Sequence, residues 1–277
     1  MTDYSVRRDR WDRPYVTRDG GPLKFDGTKP LNCTPYVRVS TLAGSLDDKA
    51  GLVDWAACNA AVGVVRDKAL YAGIAHLASA HPRPWYSEAK KPLKELVARA
   101  QELGGASSAA DMGTAFHGFT EIVDAGGFPE FAPDELVPWL DAYSAAMADW
   151  EVVDAEPFLV CDELEVAGSA DRVLRHRVTG QTVVADIKTG TDEPRYPLKV
   201  TMQVAAYARS VHYDQQSGDR RELGADLNVG LMIHVPIKTE TPVCKLYPLD
   251  LTTGWRLARL AKQVRELRRM KPLGEWK

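Results

Sequence analysis

Apolar residues recur at helical spacing through the first half of the chain and fall in β-branched runs through the second, with the change of period near Val152. After Ser45-Leu46-Asp47-Asp48, a stripe of Leu52, Trp55, Ala56, Asn59 and Val62 predicts a helix running to about residue 78. Pro82 and Pro84 break the chain there. Ser87 as N-cap and Gly104-Gly105 as stop bound a second helix. Ser107 or Ser108 caps a third, which carries His117 and ends at Gly126-Gly127, and Leu136, Leu140, Tyr143 and Met147 mark a fourth over 133–150. Strands are expected over 158–161, 164–175 and 182–188, a helix over 197–212, strands over 227–235 and 243–249, and a closing helix over 252–270. This order predicts an α/β fold: a mixed central sheet flanked by helices, with a helical N-terminal half.

The first forty residues lack such patterning and are punctuated by Gly20-Gly21, Pro22, Pro30 and Pro35, so residues 1–40 read as an irregular arm. Residues 41–277 then form a single domain, mainly helical over 41–150 and α/β over 151–277. In the arm, Arg7, Arg8, Arg10, Arg13 and Arg18 alternate with acids, which favours a solvated segment over a DNA-binding one.

Composition narrows the class. A 45% hydrophobic content over 277 residues is enough for a sizeable core, yet no run approaches the roughly 18 apolar residues that would span a membrane. The N-terminus lacks the apolar stretch of a secretory signal, so a cytoplasmic protein is expected. A net charge of −3 argues against coating nucleic acid by bulk electrostatics but leaves room for a local basic surface. The C-terminal helix offers one: Leu257, Leu260, Val264 and Leu267 form its apolar stripe, and Arg259, Lys262 and Arg269 are among the cations placed to meet DNA phosphates. Cys33, Cys58, Cys161 and Cys244 are widely spaced and read as reduced, structural thiols.

The chemistry concentrates in four short segments. Strand 182–188 is apolar until it ends in Asp186-Ile187-Lys188, and charges at the end of a covered strand are costly unless paired or bound. Alternation puts Asp186 and Lys188 on one face, about 6.6 Å apart at ~3.3 Å per residue. If Thr179-Gly180 are the central residues of the preceding turn, Asp171 lies opposite Lys188, joining both acids and the lysine at one end of the hairpin. A longer turn would shift that register, and Asp171 could instead pair with Arg172 or Arg195. His117 and Glu121 share a helical face, as do Gln203 and Tyr207. Two acids, a histidine and a lysine suit hydrolysis of a phosphodiester: oxygen and nitrogen ligands for a hard divalent ion, and a cation beside the attacking water.

In this order, Gly113-Thr114-Ala115-Phe116-His117 (G-T-x-x-H), Gly168 to Asp171 (G-x-x-D), Asp186-Ile187-Lys188 (D/E-x-K) and Gln203 to Tyr207 (Q-x-x-x-Y) resemble the PD-(D/E)XK nuclease superfamily, and within it the RecB-like branch of exonucleases. The resemblance implies a restriction-endonuclease-like core and a metal-dependent deoxyribonuclease, an exonuclease processing DNA ends in recombination, repair or phage replication. Asp171, Asp186 and Lys188 would be catalytic. Asp171, Asp186, His117 and the carbonyl of Ile187 would hold one or two Mg²⁺ or Mn²⁺ ions, and Gln203, Tyr207, Thr114 and Glu121 would face the substrate. Members with an iron–sulfur cluster carry three cysteines clustered near the C-terminus; here only Cys244 follows Tyr207, so no cluster is expected. DNA is the implied partner, with a recombinase, a single-strand annealing protein or a separate helicase beside it, in the cytoplasm of a bacterium or of a phage host. An endonuclease or nickase of the same fold, or a DNA-binding protein built on an inactive nuclease fold, are the alternatives.

Overall fold

The computed structural model describes residues 6–190 and 197–274, without the side chains of 106–110. It divides into two compact units, Met1–Asp47 with Phe119–Lys277, and Asp48–Gly118. Strands β1 (Tyr15–Val16), β2 (Phe25–Asp26), β3 (Lys29–Pro30) and β4 (Thr34–Pro35) make two small antiparallel pairs, β1 with β4 and β2 with β3, followed by β5 (Val37–Arg38) and α1 (Val39–Ala43). Val16, Thr17 and Tyr36 of this segment are buried.

The second unit is helical: α2 (Ala50–Arg66), α3 (Lys68–Ala80), α4 (Lys90–Leu103) and the start of α5 (Ala106–Asp124). The single helix expected from Asp48 to about residue 78 is broken at Asp67. Its extended backbone and its carboxylate, which accepts the N–H groups of Ala69 and Leu70 at 2.8 and 3.1 Å, restart the chain as α3. Close packing joins α2 to α4, since a Cβ at Gly63 would overlap the backbone of Ala100. Ser87 accepts the N–H of Ala89 just ahead of α4, whose C-cap is Gly104. The side chains of Ser107 and Ser108 lie outside the described residues; α5 itself begins at Ala106.

From Phe119 the chain belongs to the first unit. Helix α6 (Val137–Ala146) stops four residues before the expected end, and Trp150 opens a strand instead. There follow β6 (Trp150–Ala155), β7 (Phe158–Cys161), β8 (Val166–Ser169), β9 (Arg172–His176), β10 (Thr182–Lys188), α7 (Leu198–Ala208), β11 (Val211–Tyr213), β12 (Arg220–Glu222), β13 (Val229–His234), β14 (Lys245–Asp250) and α8 (Leu251–Leu267). The strands form two five-stranded mixed sheets, in the orders β14-β13-β10-β9-β6 and β12-β11-β7-β8-β5. The fold is the expected α/β one, a restriction-endonuclease-like core in which β10 sits mid-sheet, parallel to β13 and antiparallel to β9. The main core joins α1, α7 and α8 to residues of both sheets, among them Leu159, Val166, Val184 and Met232.

Residues 164–175, read from sequence as one strand, are two strands in different sheets. The chain switches sheet at Ala170-Asp171, beside a matching switch at Glu156-Pro157 between β6 and β7. Two cross hydrogen bonds lock the corners together: Glu156 N–H to the Asp171 carbonyl at 3.1 Å, and Ala170 N–H to the Pro157 carbonyl at 3.2 Å. Proline has no donor for a continuing ladder, and Glu156 adopts φ +53°, which bends the strand away.

Helix α8 also departs from expectation. Its buried face is Leu251, Gly254, Ala258 and Ala261, and Leu260 and Leu267 of the expected stripe are exposed. A Cβ at Gly254 would stand 2.5 Å from the carbonyl oxygen of Thr201, so α7 and α8 approach too closely for large side chains.

Candidate metal centre

The centre forms where β10 ends beside the double corner. The β9–β10 ladder pairs Arg172 with Ala185 and Thr182 with Arg175. The turn is therefore longer than expected: 177–180 form the loop, with Gly180 at φ +72°. This shifts the register by two, so Asp171 falls across from Asp186 and not from Lys188. An even shift leaves every side chain on its face, which is why the expected grouping survives an incorrect register. The Asp171 carboxylate accepts the N–H of Ile187 at 2.7 Å, tying it to the backbone next to Asp186.

Asp186 is 2% exposed. Its carboxylate forms an ion pair with Nζ of Lys188 and accepts a hydrogen bond from Nε2 of Gln203 at 2.9 Å. The same Nζ lies 3.3 Å from the carbonyl oxygen of Ile187. Gln203 therefore holds an acid of the centre. Four residues on, Tyr207 is buried, and its hydroxyl is why position 168 must be glycine: a Cβ there would stand 2.8 Å from that oxygen.

Glu156, at the first corner, is the member that sequence reasoning missed. Its carboxylate and that of Asp171 offer ligand oxygens within 4.8 Å of each other. Desolvation of the carboxyl, then the negative charges of Asp171, Glu121 and Asp186, push its pKa up to about 7. Asp171 is also raised, by burial first, against the lowering pull of Lys188, the Ile187 N–H and Arg172. Carboxyl groups gathered against their own repulsion are the donor chemistry that a hard divalent cation fits. The only signal in sequence was a Glu-Pro at the end of a β-branched run.

Arg172, fully buried, does not pair with the carboxylate of Asp171; Arg195 lies outside the described residues. The Arg172 Nε donates to Asp124 at 2.6 Å, one terminal nitrogen to Thr120 at 2.9 Å and the other to the Asp171 carbonyl at 2.6 Å, and Tyr143 donates its hydroxyl to Asp124 at 2.9 Å. This network fastens the end of α5 to the start of β9. Glu121 sits on that end of α5, exposed, with its charge felt at Glu156 and Asp171. His117 and Thr114 lie earlier on the same helix, in the other unit.

Of the three cations expected on the closing helix, Arg259 and Lys262 lie on α8 and Arg269 just beyond its end. Lys262 donates to the Glu163 carbonyl at 2.9 Å, Arg259 approaches the Glu163 carboxylate at 3.5 Å, and Arg269 is exposed near Val37 and Glu165.

A family model described as the PD-(D/E)XK nuclease superfamily matches residues 125–271, over half the chain, and the protein belongs to that superfamily. The matched stretch contains Glu156, Asp171, Asp186, Lys188, Gln203 and Tyr207, and begins after His117. Membership makes the chain a hydrolytic nuclease that uses divalent metal ions, with DNA implied as substrate. No curated protein sequence matches it. A solved structure described as the crystal structure of SSO0001 is 16% identical over 67% of this chain and 71% of that one, with a TM-score of 0.31, too distant a likeness to argue from. Among the described residues no helix is long and apolar enough to cross a membrane.

Proposed function

We propose that the protein is a RecB-like DNA exonuclease that uses Mg²⁺ or Mn²⁺ and processes DNA ends in recombination, repair or phage replication in the cytoplasm. The observation that carries this reading is the convergence of Asp171, Asp186 and Lys188 at one end of β10, with Lys188 paired to the acid it would work beside. Asp171, Asp186 and Glu156 supply carboxylate oxygens, a donor set for a hard divalent ion, and the Ile187 carbonyl and the His117 imidazole are assigned to the same ion by their places in the D-x-K and G-T-x-x-H motifs. When bound, the ion lowers the pKa of water and stabilises the leaving oxygen.

The rest falls to side chains. Gln203 keeps Asp186 oriented, and Tyr207 packs the helix that carries Gln203 against Gly168. Lys188, 41% exposed, reaches solvent from a buried acid, so its ammonium orients the attacking water and steadies charge developing on the phosphate oxygens. Thr114 and Glu121 are assigned to the substrate side of α5. A recombinase, a single-strand annealing protein or a separate helicase would be the protein partner.

The test is digestion of end-labelled linear duplex and of covalently closed circular DNA, each with Mg²⁺ and with EDTA. Metal-dependent release of nucleotides from the linear substrate alone is expected. Cutting of closed circles would establish an endonuclease or nickase, and retention of both substrates intact would leave an inactive DNA-binding protein.

A further inference from the structure

The N-terminal segment contains a second feature that the centre does not use. A cleft of about 500 Å³ is lined by Arg7, Arg10, Trp11, Arg13, Tyr15 and Phe25, among others. The alternation of charge in sequence has the acids of this segment neutralise its arginines. The structure distributes them unevenly. Asp9 is taken by Arg13 at 2.6 Å and by the N–H groups of Trp11 and Arg13, and Asp12 by Arg8 and Arg38. Among the described residues no carboxylate pairs with Arg7 or Arg10, and both are exposed. Their guanidinium groups lie instead over aromatic rings, Arg7 over Phe25 at 3.4 Å and Arg10 over Trp11 at 4.0 Å, while Trp11 is 60% exposed.

This surface is built into its unit. The side chain of Gln215 accepts the Arg7 N–H at 2.6 Å and donates to the carbonyls of Arg7 and Tyr15 at 3.1 and 2.8 Å, and the Tyr213 hydroxyl accepts the N–H of Thr17 at 2.9 Å.

We infer that this cleft is a binding site for single-stranded DNA, with Trp11 and the guanidinium planes stacking on unpaired bases and Arg7 and Arg10 meeting phosphates. Every base has a face to stack and every nucleotide a charge to neutralise, so an exposed indole beside the unneutralised Arg10 suits an unpaired strand. A duplex keeps its bases inside the stack and offers Trp11 nothing. The inference rests on the nuclease reading for the choice of DNA, and places the unpaired strand on the same unit as the centre.

The experiment is equilibrium binding of labelled oligothymidylate and of blunt, end-closed duplex to the full chain in EDTA, where hydrolysis is suppressed. Trp11→Ala should weaken oligothymidylate binding about ten-fold and leave duplex binding within two-fold, and Trp11→Phe should retain most of the affinity. Arg7→Gln with Arg10→Gln should reduce the log–log salt slope by about 1.4, at roughly 0.7 for each single-strand phosphate that is no longer neutralised. Unchanged oligothymidylate binding in Trp11→Ala, or equal weakening toward both DNAs, would overturn the inference. Wild-type protein that binds through Trp11 but leaves DNA uncut with Mg²⁺ would keep the cleft and overturn the nuclease reading. Cleavage with Trp11-independent binding would do the reverse.

Discussion

The Tyr207 hydroxyl rests against the backbone of Gly168, so the glycine of one motif and the tyrosine of another are two halves of one contact. Gly168→Ala should cost about 1–3 kcal/mol through overpacking of a buried ring. Tyr207→Phe removes the oxygen that would be struck, so in the double variant the costs should be less than additive in urea denaturation. Additive costs would mean that the contact does not define the position.

Lys188 differs in role from the acids it joins. A cation acting on the attacking water works mainly in the transition state, so Lys188→Ala should keep DNA and Mn²⁺ affinity while single-turnover cleavage falls by orders of magnitude. Near wild-type cleavage would reduce Lys188 to a counter-ion for Asp186.

Asp171→Asn should behave in the opposite way on metal. Loss of one carboxylate charge should weaken Mn²⁺ binding in calorimetry and abolish cleavage, while the melting temperature in EDTA holds, because repulsion with Glu156 is relieved. A large drop in melting temperature would instead make Asp171 a structural anchor for Ile187.

Glu156 sets a pH dependence. Its folded pKa of about 7 lies above its unfolded value of 4.5, so the folded state holds this proton more tightly. The sign follows: no penalty exists below about pH 4.5, stability falls as pH rises from there to 7, and the penalty is complete above. In EDTA, Glu156→Gln should therefore gain melting temperature over the wild type as pH is raised from 5 to 8. Part of the residue keeps contact with solvent, so the gain should be small, and Mn²⁺ should close it. A difference independent of pH would remove Glu156 from the cluster.

Arg172 and Asp124 are buried together, and removing one charge strands the other. Arg172→Met should cost about 3–5 kcal/mol, and Arg172→Met with Asp124→Asn should recover part of it in chemical denaturation. Equal losses in both variants would show that packing, and not charge pairing, matters there.

Much of the centre was legible because period and chemistry agreed. The apolar run ending in Asp186-Ile187-Lys188 gave β10 to the residue, and alternation alone put Asp186 and Lys188 on one face. What escaped were features set by distant partners. Two residues of turn length moved the β9–β10 register, and the switch at Ala170-Asp171 depends on carbonyls and N–H groups of a corner well upstream in the chain, at Glu156-Pro157. The small-residue face of α8 is dictated by the approach of α7, which no spacing within α8 reveals. Glu156 was hidden for the same reason, since nothing local distinguishes an acid at a corner from one on a solvated edge.

The double corner also governs when activity can appear during folding. Glu156 and Asp171 each stand between a strand of one sheet and a strand of the other, and the pairing keeps one register through the bend, with Ala155 opposite Arg172 before it and Phe158 opposite Ser169 after it. Glu156, Asp171 and Asp186 lie at one end of β6, β9 and β10, neighbours in a single sheet, so an intermediate with that sheet unpaired would lack the carboxylate cluster and so would neither hold the ion nor cut DNA. Recovery of metal affinity during refolding therefore times the pairing of β6, β9 and β10, and the chain becomes able to damage nucleic acid only once that pairing is made.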